Sequence, residues 1–170
     1  DLAIRFCSKP VVDLETDIIS QAPVSPVGAP KLMDSSIDLE KPETLLKLPI
    51  LTENHADLWA QWFAKAGLPA KTLMRKGGDL RTMLAIEAAA AGQGLALVST
   101  ELIYNDLNEG RLVRFSNIGL DYGNYSLLHT KAAMRRKAVT DFRNWLLDAS
   151  SELRNSLTPN EVSGRPQRLN

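Results

Sequence analysis

The side chains able to do covalent or metal chemistry are few in this chain and far apart. His55 and His129 are its two histidines and Cys7 its one cysteine. A hydrolase needs a nucleophile with a general base in hydrogen-bond reach, and no Gly-x-Ser-x-Gly elbow occurs. Cys7 has no flanking histidine or cysteine and reads as an inert small residue. His55 falls at a helix start and His129 at a strand end, where a solvated structural histidine is the ordinary meaning. One cysteine and two histidines separated by most of the chain give no ligand spacing for a metal. The glycines of Lys76-Gly77-Gly78-Asp79 and Gly92-Gln93-Gly94 form neither a Walker loop nor a dinucleotide fingerprint, and turns and caps account for them. No cofactor is expected, and the chain does not read as an enzyme.

What remains is a polar set suited to noncovalent recognition. In open α/β folds, ligands bind beyond the carboxyl ends of strands, against helix N-termini. That rule nominates Arg5 and Phe6, Ser25, Thr52 to Asn54, Gly78 to Leu80 with Asp79 among them, Ser99 and Thr100, and Tyr125. Each alone has a structural explanation; together they would line a cleft.

The elements that must position this set follow from periodicity and punctuation. Leu2 to Phe6 reads as a strand, already in progress in a core, which suggests a fragment of something longer. Asp17 to Val24 reads as a second strand, closed by a break at Pro23, Ser25 and Pro26. Short helices are expected around Ala29 to Met33 and from Glu40 to Leu46, opened near Pro30 and Pro42. Leu48 to Leu51 is a compact apolar strand. Asn54 is expected to cap a helix, with Asp57 three residues on. Leu58, Trp59, Trp62, Phe63 and Ala66 form its buried stripe, and Gly67 stops it. Lys71 to Arg75 reads as a strand, and Asp79 as the cap of an alanine-rich helix that Gly92 ends. Leu95 to Ser99 is a buried strand, after which Thr100 is expected to cap a helix running to Gly110. Arg111 to Phe115 and Tyr125 to His129 complete the strands. The last helix carries Val139, Phe142, Trp145, Leu146 and Ala149 on one face. The basic run Lys131 to Lys137 before it reads as a solvated face.

Strands alternating with helices predict an α/β fold with a mainly parallel sheet. Two crossings, near Ala22 to Pro26 and Gly119 to Tyr125, predict two lobes with the cleft between them. Residues 1–24 and 125–150 would be what remains of lobe one and residues 25–124 lobe two, with 151–170 a disordered tail.

Composition bounds the function. Twenty Lys and Arg balance twenty Asp and Glu over 170 residues, so nothing global draws the chain to a nucleic-acid backbone. With 44% hydrophobic and 24% charged residues it is an ordinary globular sequence. A lone cysteine excludes an intrachain disulfide and suits a reducing compartment. The apolar stretches around Ala88 to Val98 are too short and interrupted to span a bilayer. Asp1-Leu2-Ala3-Ile4-Arg5-Phe6 has no signal-peptide pattern, and the expected location is the cytoplasm.

The order of these segments resembles one family. Residues 1–6 and Ala-Pro-Val-Ser-Pro-Val (22–27) are similar to the start of the second half of LysR-type effector domains. Trp-Ala-Gln-Trp-Phe-Ala-Lys-Ala-Gly-Leu-Pro (59–69) resembles the family's tryptophan-rich helix. Met83-Leu84 through Gly92-Gln93-Gly94-Leu95-Ala96-Leu97 resembles its helix, tight turn and buried strand. Asp106-Leu107, Gly110-Arg111-Leu112-Val113 and Phe142-Arg143-Asn144-Trp145-Leu146 complete a likeness over about residues 1 to 153. Within the family it looks nearest to the glycine-cleavage and β-lactamase activator branch.

The resemblance implies a periplasmic-binding-protein-like, two-lobed fold whose first lobe is incomplete here. It implies an effector-sensing and oligomerising role, as a dimer or tetramer. DNA would be bound only through a helix-turn-helix absent from this chain. It also implies that Tyr125, in Gly-Asn-Tyr-Ser-Leu, matches a tyrosine lining the effector cleft in the activator branch. Leu80 stands where that branch places a serine, beside the acidic Asp79, and Ser99 where relatives often have proline. The competing reading is an extracytoplasmic solute-binding protein of similar fold.

Overall fold

The computed structural model describes residues 2–21, 23–34, 36–53, 58–68 and 75–151, with the backbone alone at residue 53 and residues 75–80. It divides into two compact units, residues 1–22 with 122–170 and residues 23–121.

The first unit is a three-stranded antiparallel sheet in the order β1 (Leu2–Cys7), β8 (Asn124–His129), β2 (Glu15–Ser20), with α4 (Lys137–Ala149) packed against β2. The central strand is the buried one: Ser126 and Leu127 are fully buried, and Leu128 nearly so. The expectation that Leu2 to Phe6 is a buried strand is corrected. β1 is an edge strand, and Ala3 to Phe6 are exposed. β-Branched and aromatic composition marks a strand but does not say which of its faces is covered. The apolar face read on the last helix is also uncovered within this unit, with Phe142 43% and Trp145 61% exposed; their rings contact each other at 5.5 Å.

The second unit is built around β3 (Val24–Gly28), which is buried at every residue and pairs antiparallel with β6 (Ala96–Ser99) and β7 (Val113–Arg114). Here the expected break is a strand centre. Pro26 is tolerated because its carbonyl accepts the N–H of Phe115 at 2.9 Å, while the missing donor falls where β7 has ended at Arg114. β4 (Ile50–Glu53) pairs parallel with β5 (Arg75–Leu80), and Ile50 bridges Leu95 in parallel. The ladders are therefore mixed, with parallel pairing among the described residues confined to this edge, and the mainly parallel sheet expected from element alternation is corrected.

Helices form where periodicity placed them. In α1 (Leu58–Lys65), Leu58, Trp59, Trp62 and Phe63 are buried. Both indole N–H groups donate at 2.9 Å, Trp59 to the carbonyl of Leu51 and Trp62 to that of Ile118. Gly67 at φ +76° closes the helix, its N–H bonding Ala64 and that of Leu68 bonding Phe63. α2 (Thr82–Ala90) buries Ala85, Ile86 and Ala89 against β3, β4 and β6 in one core with Val27, Leu51, Ala96, Val98, Ile103 and Leu112. Gly92 at φ +75° ends α2 in the same two-bond manner, through Ala89 and Ala88.

Several expected caps differ. The Asn54 cap lies outside the described residues, as do most of the Lys71 to Arg75 strand and, from residue 152, the expected disordered tail. Asp79 is not a helix cap: it lies in β5, and Arg81 occupies the N-cap of α2. Thr100 does not cap α3 (Tyr104–Asn108), which begins after an intervening turn with Ile103 at its N-cap. An Asp or Thr before a helical pattern signals a boundary only to within a turn, because neighbouring pairing decides where the ladder ends.

Gly94 is held by a close approach. Leu95 donates to the carbonyl of Pro49 at 2.8 Å, and a Cβ on Gly94 would stand 2.6 Å from that oxygen. Gly94→Ala is expected to cost about 1–3 kcal/mol through overpacking, read as a lower denaturant midpoint with an unchanged slope.

Candidate functional site

Tyr125 organises the polar and aromatic surface of the first unit. It is the second residue of β8, directly opposite Phe6 on β1 and Ser20 on β2. The Phe6 and Tyr125 rings meet edge-on at 5.5 Å, and Tyr122 stacks on Phe6 at 5.7 Å. Gly123 makes this possible, because a Cβ there would stand 2.7 Å from both the Phe6 ring and the Cys7 carbonyl oxygen. Ser20 is 2% exposed and its hydroxyl has no protein partner. Arg5 pairs with Ser126 at the next position, so the pleat turns it to the other face from Phe6 and Tyr125.

In the second unit the nominated residues gather at strand ends without forming one patch. Ser25 pairs with Val98 and Ser99 with Val24, so their side chains leave opposite faces of the β3–β6 pair. The hydroxyls of Ser25, Ser99 and Thr100 are buried without a protein partner, whereas buried polar atoms are ordinarily paired. Thr52 is half-buried on β4. Asp79 and Leu80 close β5, where Leu80 pairs with Glu53 across an irregular register.

Sequence reasoning passed over three features. Ser20 is one. The second is Arg114 on β7, half-buried, with a buried Nε that has no protein partner; burial holds its guanidinium below the usual arginine range. The third is a charge cluster on β2, β8 and α4. Asp17 Oδ2 accepts from Arg143 Nε at 2.6 Å and lies 2.8 Å from His129 Nε2, and Arg143 Nη2 donates to Oδ1. The Arg143 hydrogen bond lowers the Asp17 carboxyl below the usual carboxylate range, opposed by burial and assisted by His129. The same bond raises Arg143. His129 is thus a buried partner of a carboxylate, 7% exposed, and not the solvated histidine expected at a strand end.

Among the described residues no three His, Cys, Asp or Glu side chains converge as a metal site, and no helix is long and apolar enough to cross a membrane. The arrangement offers hydrogen-bonding and aromatic surface.

Comparison with known proteins bears on this directly. The model of the LysR substrate binding domain matches residues 1–151. The HTH-type transcriptional activator AmpR of Pseudomonas aeruginosa is 30% identical over 152 residues, 89% of this chain and 50% of that protein. A transcriptional activator of a carbapenem-hydrolysing β-lactamase from Enterobacter cloacae is 28% identical over 154 residues, 89% of this chain and 51% of that protein. The chain thus spans about half the length of the curated relatives it matches. Among solved structures, the effector domain of AmpR from P. aeruginosa superimposes with a TM-score of 0.75 at 26% identity, covering 92% of this chain and 74% of that one. The AmpR effector binding domain of Citrobacter freundii gives 0.74 at 27% identity, over 89% and 75%.

Proposed function

This chain belongs to the LysR substrate-binding domain family, with the periplasmic-binding-protein-like α/β fold of LysR effector domains, and on that premise we propose that it senses a small molecule for a bacterial transcription regulator. The curated relatives named above are transcriptional activators, which favours this reading over a solute-binding role in transport.

The observation that carries the proposal is the row Phe6–Tyr125–Ser20, aromatic surface beside a buried hydroxyl without a protein partner. Ser25 and Thr100, whose hydroxyls are also buried without a protein partner, are further candidate contacts with Thr52, Asp79 and Leu80, whereas Ser99 leaves the opposite face from Ser25 and Arg5 the opposite face from Tyr125. Effector binding to one conformation would shift the equilibrium of an oligomer on DNA. DNA recognition is assigned to parts of the regulator outside these residues, since their charge is balanced. The cytoplasm is the compartment that such a role requires.

Thermal melts against amino acids, dipeptides, organic acids and sugar phosphates test the reading. A compound that binds the folded state stabilises it by about 2.7 kcal/mol at a hundredfold excess over Kd. At least one is expected to raise the Tm, and Tyr125→Phe to lose much of that rise. A chain that ignores every class, or a Tyr125→Phe variant that responds like the parent, overturns it. Self-association as a dimer or tetramer is part of the proposal, and light scattering coupled to size exclusion checks it. A strict monomer removes that part.

A further inference from the structure

We propose that Arg114 and Ser25 form a binding site for a small oxyanion, a carboxylate or a phosphate group, within the second unit. The site shares Ser25 and Thr100 with the further candidate effector contacts, but it rests on Arg114 and stands without the Tyr125 row.

The register places the two residues together. Arg114 pairs with Val27, and Ser25 lies two positions before Val27 on the same strand, so all three side chains leave one face of the β3–β7 pair. Ser25 and Arg114 are diagonal neighbours across the ladder, within reach of a long side chain. That face also carries Ala96 and Val98 and packs on the apolar core under α2. Ser25 is 5% exposed with an unsatisfied hydroxyl, and the Nε of Arg114 is buried and likewise unsatisfied. Thr100, 3% exposed and one residue past the end of β6, adds a second buried hydroxyl without a protein partner.

A buried N–H left without an acceptor, as at Arg114 Nε, is costly, and a carboxylate or phosphate relieves that cost by accepting from two parallel N–H donors of one guanidinium. Arg111, three residues earlier, shows the usual arrangement. It is exposed and pairs with Asp106 at 2.6 Å and Glu87 at 2.8 Å. Arg114 has no acidic partner among the described residues, and burial lowers its pKa with no compensating pair. A seryl hydroxyl beside such a fork suits an anion oxygen, to which it can donate.

The test follows the Nε–H resonance of Arg114 in the ¹⁵N-labelled chain during titration with sodium phosphate and, separately, sodium acetate at constant ionic strength. A saturable shift with at least one anion is expected, and the one that saturates at lower concentration names the source of the oxyanion. Ser25→Ala, checked for an otherwise unchanged spectrum, is expected to weaken that binding about tenfold, the worth of one hydrogen bond to a charged group. Arg111→Gln is expected to leave it unchanged. Shifts that grow linearly with both anions overturn the site. A saturable shift that Ser25→Ala leaves unaltered overturns the pairing of the two residues. The Tyr125→Phe arm of the melts keeps the two readings apart, because Tyr125 lies in the other unit: a rise in Tm that Tyr125→Phe leaves intact belongs to the Arg114 site and not to the Tyr125 row.

Discussion

Trp62→Ala is expected to destabilise the second unit by about 3–5 kcal/mol, as truncation of a large buried aromatic does. Trp62 is fully buried and its ring lies edge-on to Trp59 at 6.1 Å and to Phe63 at 5.1 Å. The substitution removes this packing and also leaves the Ile118 carbonyl, now served at 2.9 Å by the indole N–H, without its donor. The hydrogen bond ties α1 to the segment that follows β7, fifty-six residues away, so its loss loosens the packing of both. Urea denaturation followed by the fluorescence of Trp59 measures the effect, because Trp59 shares the cluster and is itself buried. Against a typical domain stability of about 5–15 kcal/mol, a loss of this size moves the midpoint far toward zero denaturant. A shift below about 1 kcal/mol is what a surface residue gives, and it would place the tryptophan outside the core.

What was legible in the sequence divides along physical lines. Signals carried by one local segment were readable. The stripe of Trp59, Trp62 and Phe63 gave a buried helix face, Gly67 and Gly92 gave helix ends at positive φ, and Leu95 to Ser99 gave a buried strand. Signals that depend on a distant strand were not. Pro26 looks like a breaker until β7 is seen to stop beside it, and Leu2 to Phe6 looks like core until the sheet order makes β1 an edge. The candidate site shows the same division. Strand ends located Ser25, Ser99 and Tyr125, but only the register shows that Ser25 and Ser99 leave opposite faces and that Phe6, Tyr125 and Ser20 share a row. Arg114 carries no motif at all; what singles it out is burial without a partner, a property of the packed state. Family resemblance added the fold and the regulatory context, which composition and periodicity alone do not contain.

The charge cluster missed in the sequence yields the second large expectation. Asp17→Asn is expected to cost the first unit about 2–3 kcal/mol, below the range for a fully buried pair because the Asp17 side chain keeps 18% of its surface and Arg143 28%. The carboxylate joins β2 to β8 through His129 and to α4 through Arg143, and α4 buries no residue of its own that would hold it there. Removing the charge leaves a guanidinium and an imidazole facing an amide, so the docking of α4 should weaken more than the sheet. The pH dependence fixes the sign. Asp17 is lowered in the folded state, so the unfolded chain binds its proton more readily. The stability it contributes is complete above the unfolded value, about pH 4, and is lost as pH falls through the folded one. The parent chain should therefore lose stability steeply below about pH 4, whereas Asp17→Asn starts lower at neutral pH and shows a shallower acid slope. Trp145 on α4, exposed and next but one to Arg143, reports the transition by fluorescence across an acid titration. Parallel acid curves for parent and variant would mean that α4 is held by its helix surface and not by the carboxylate beneath it.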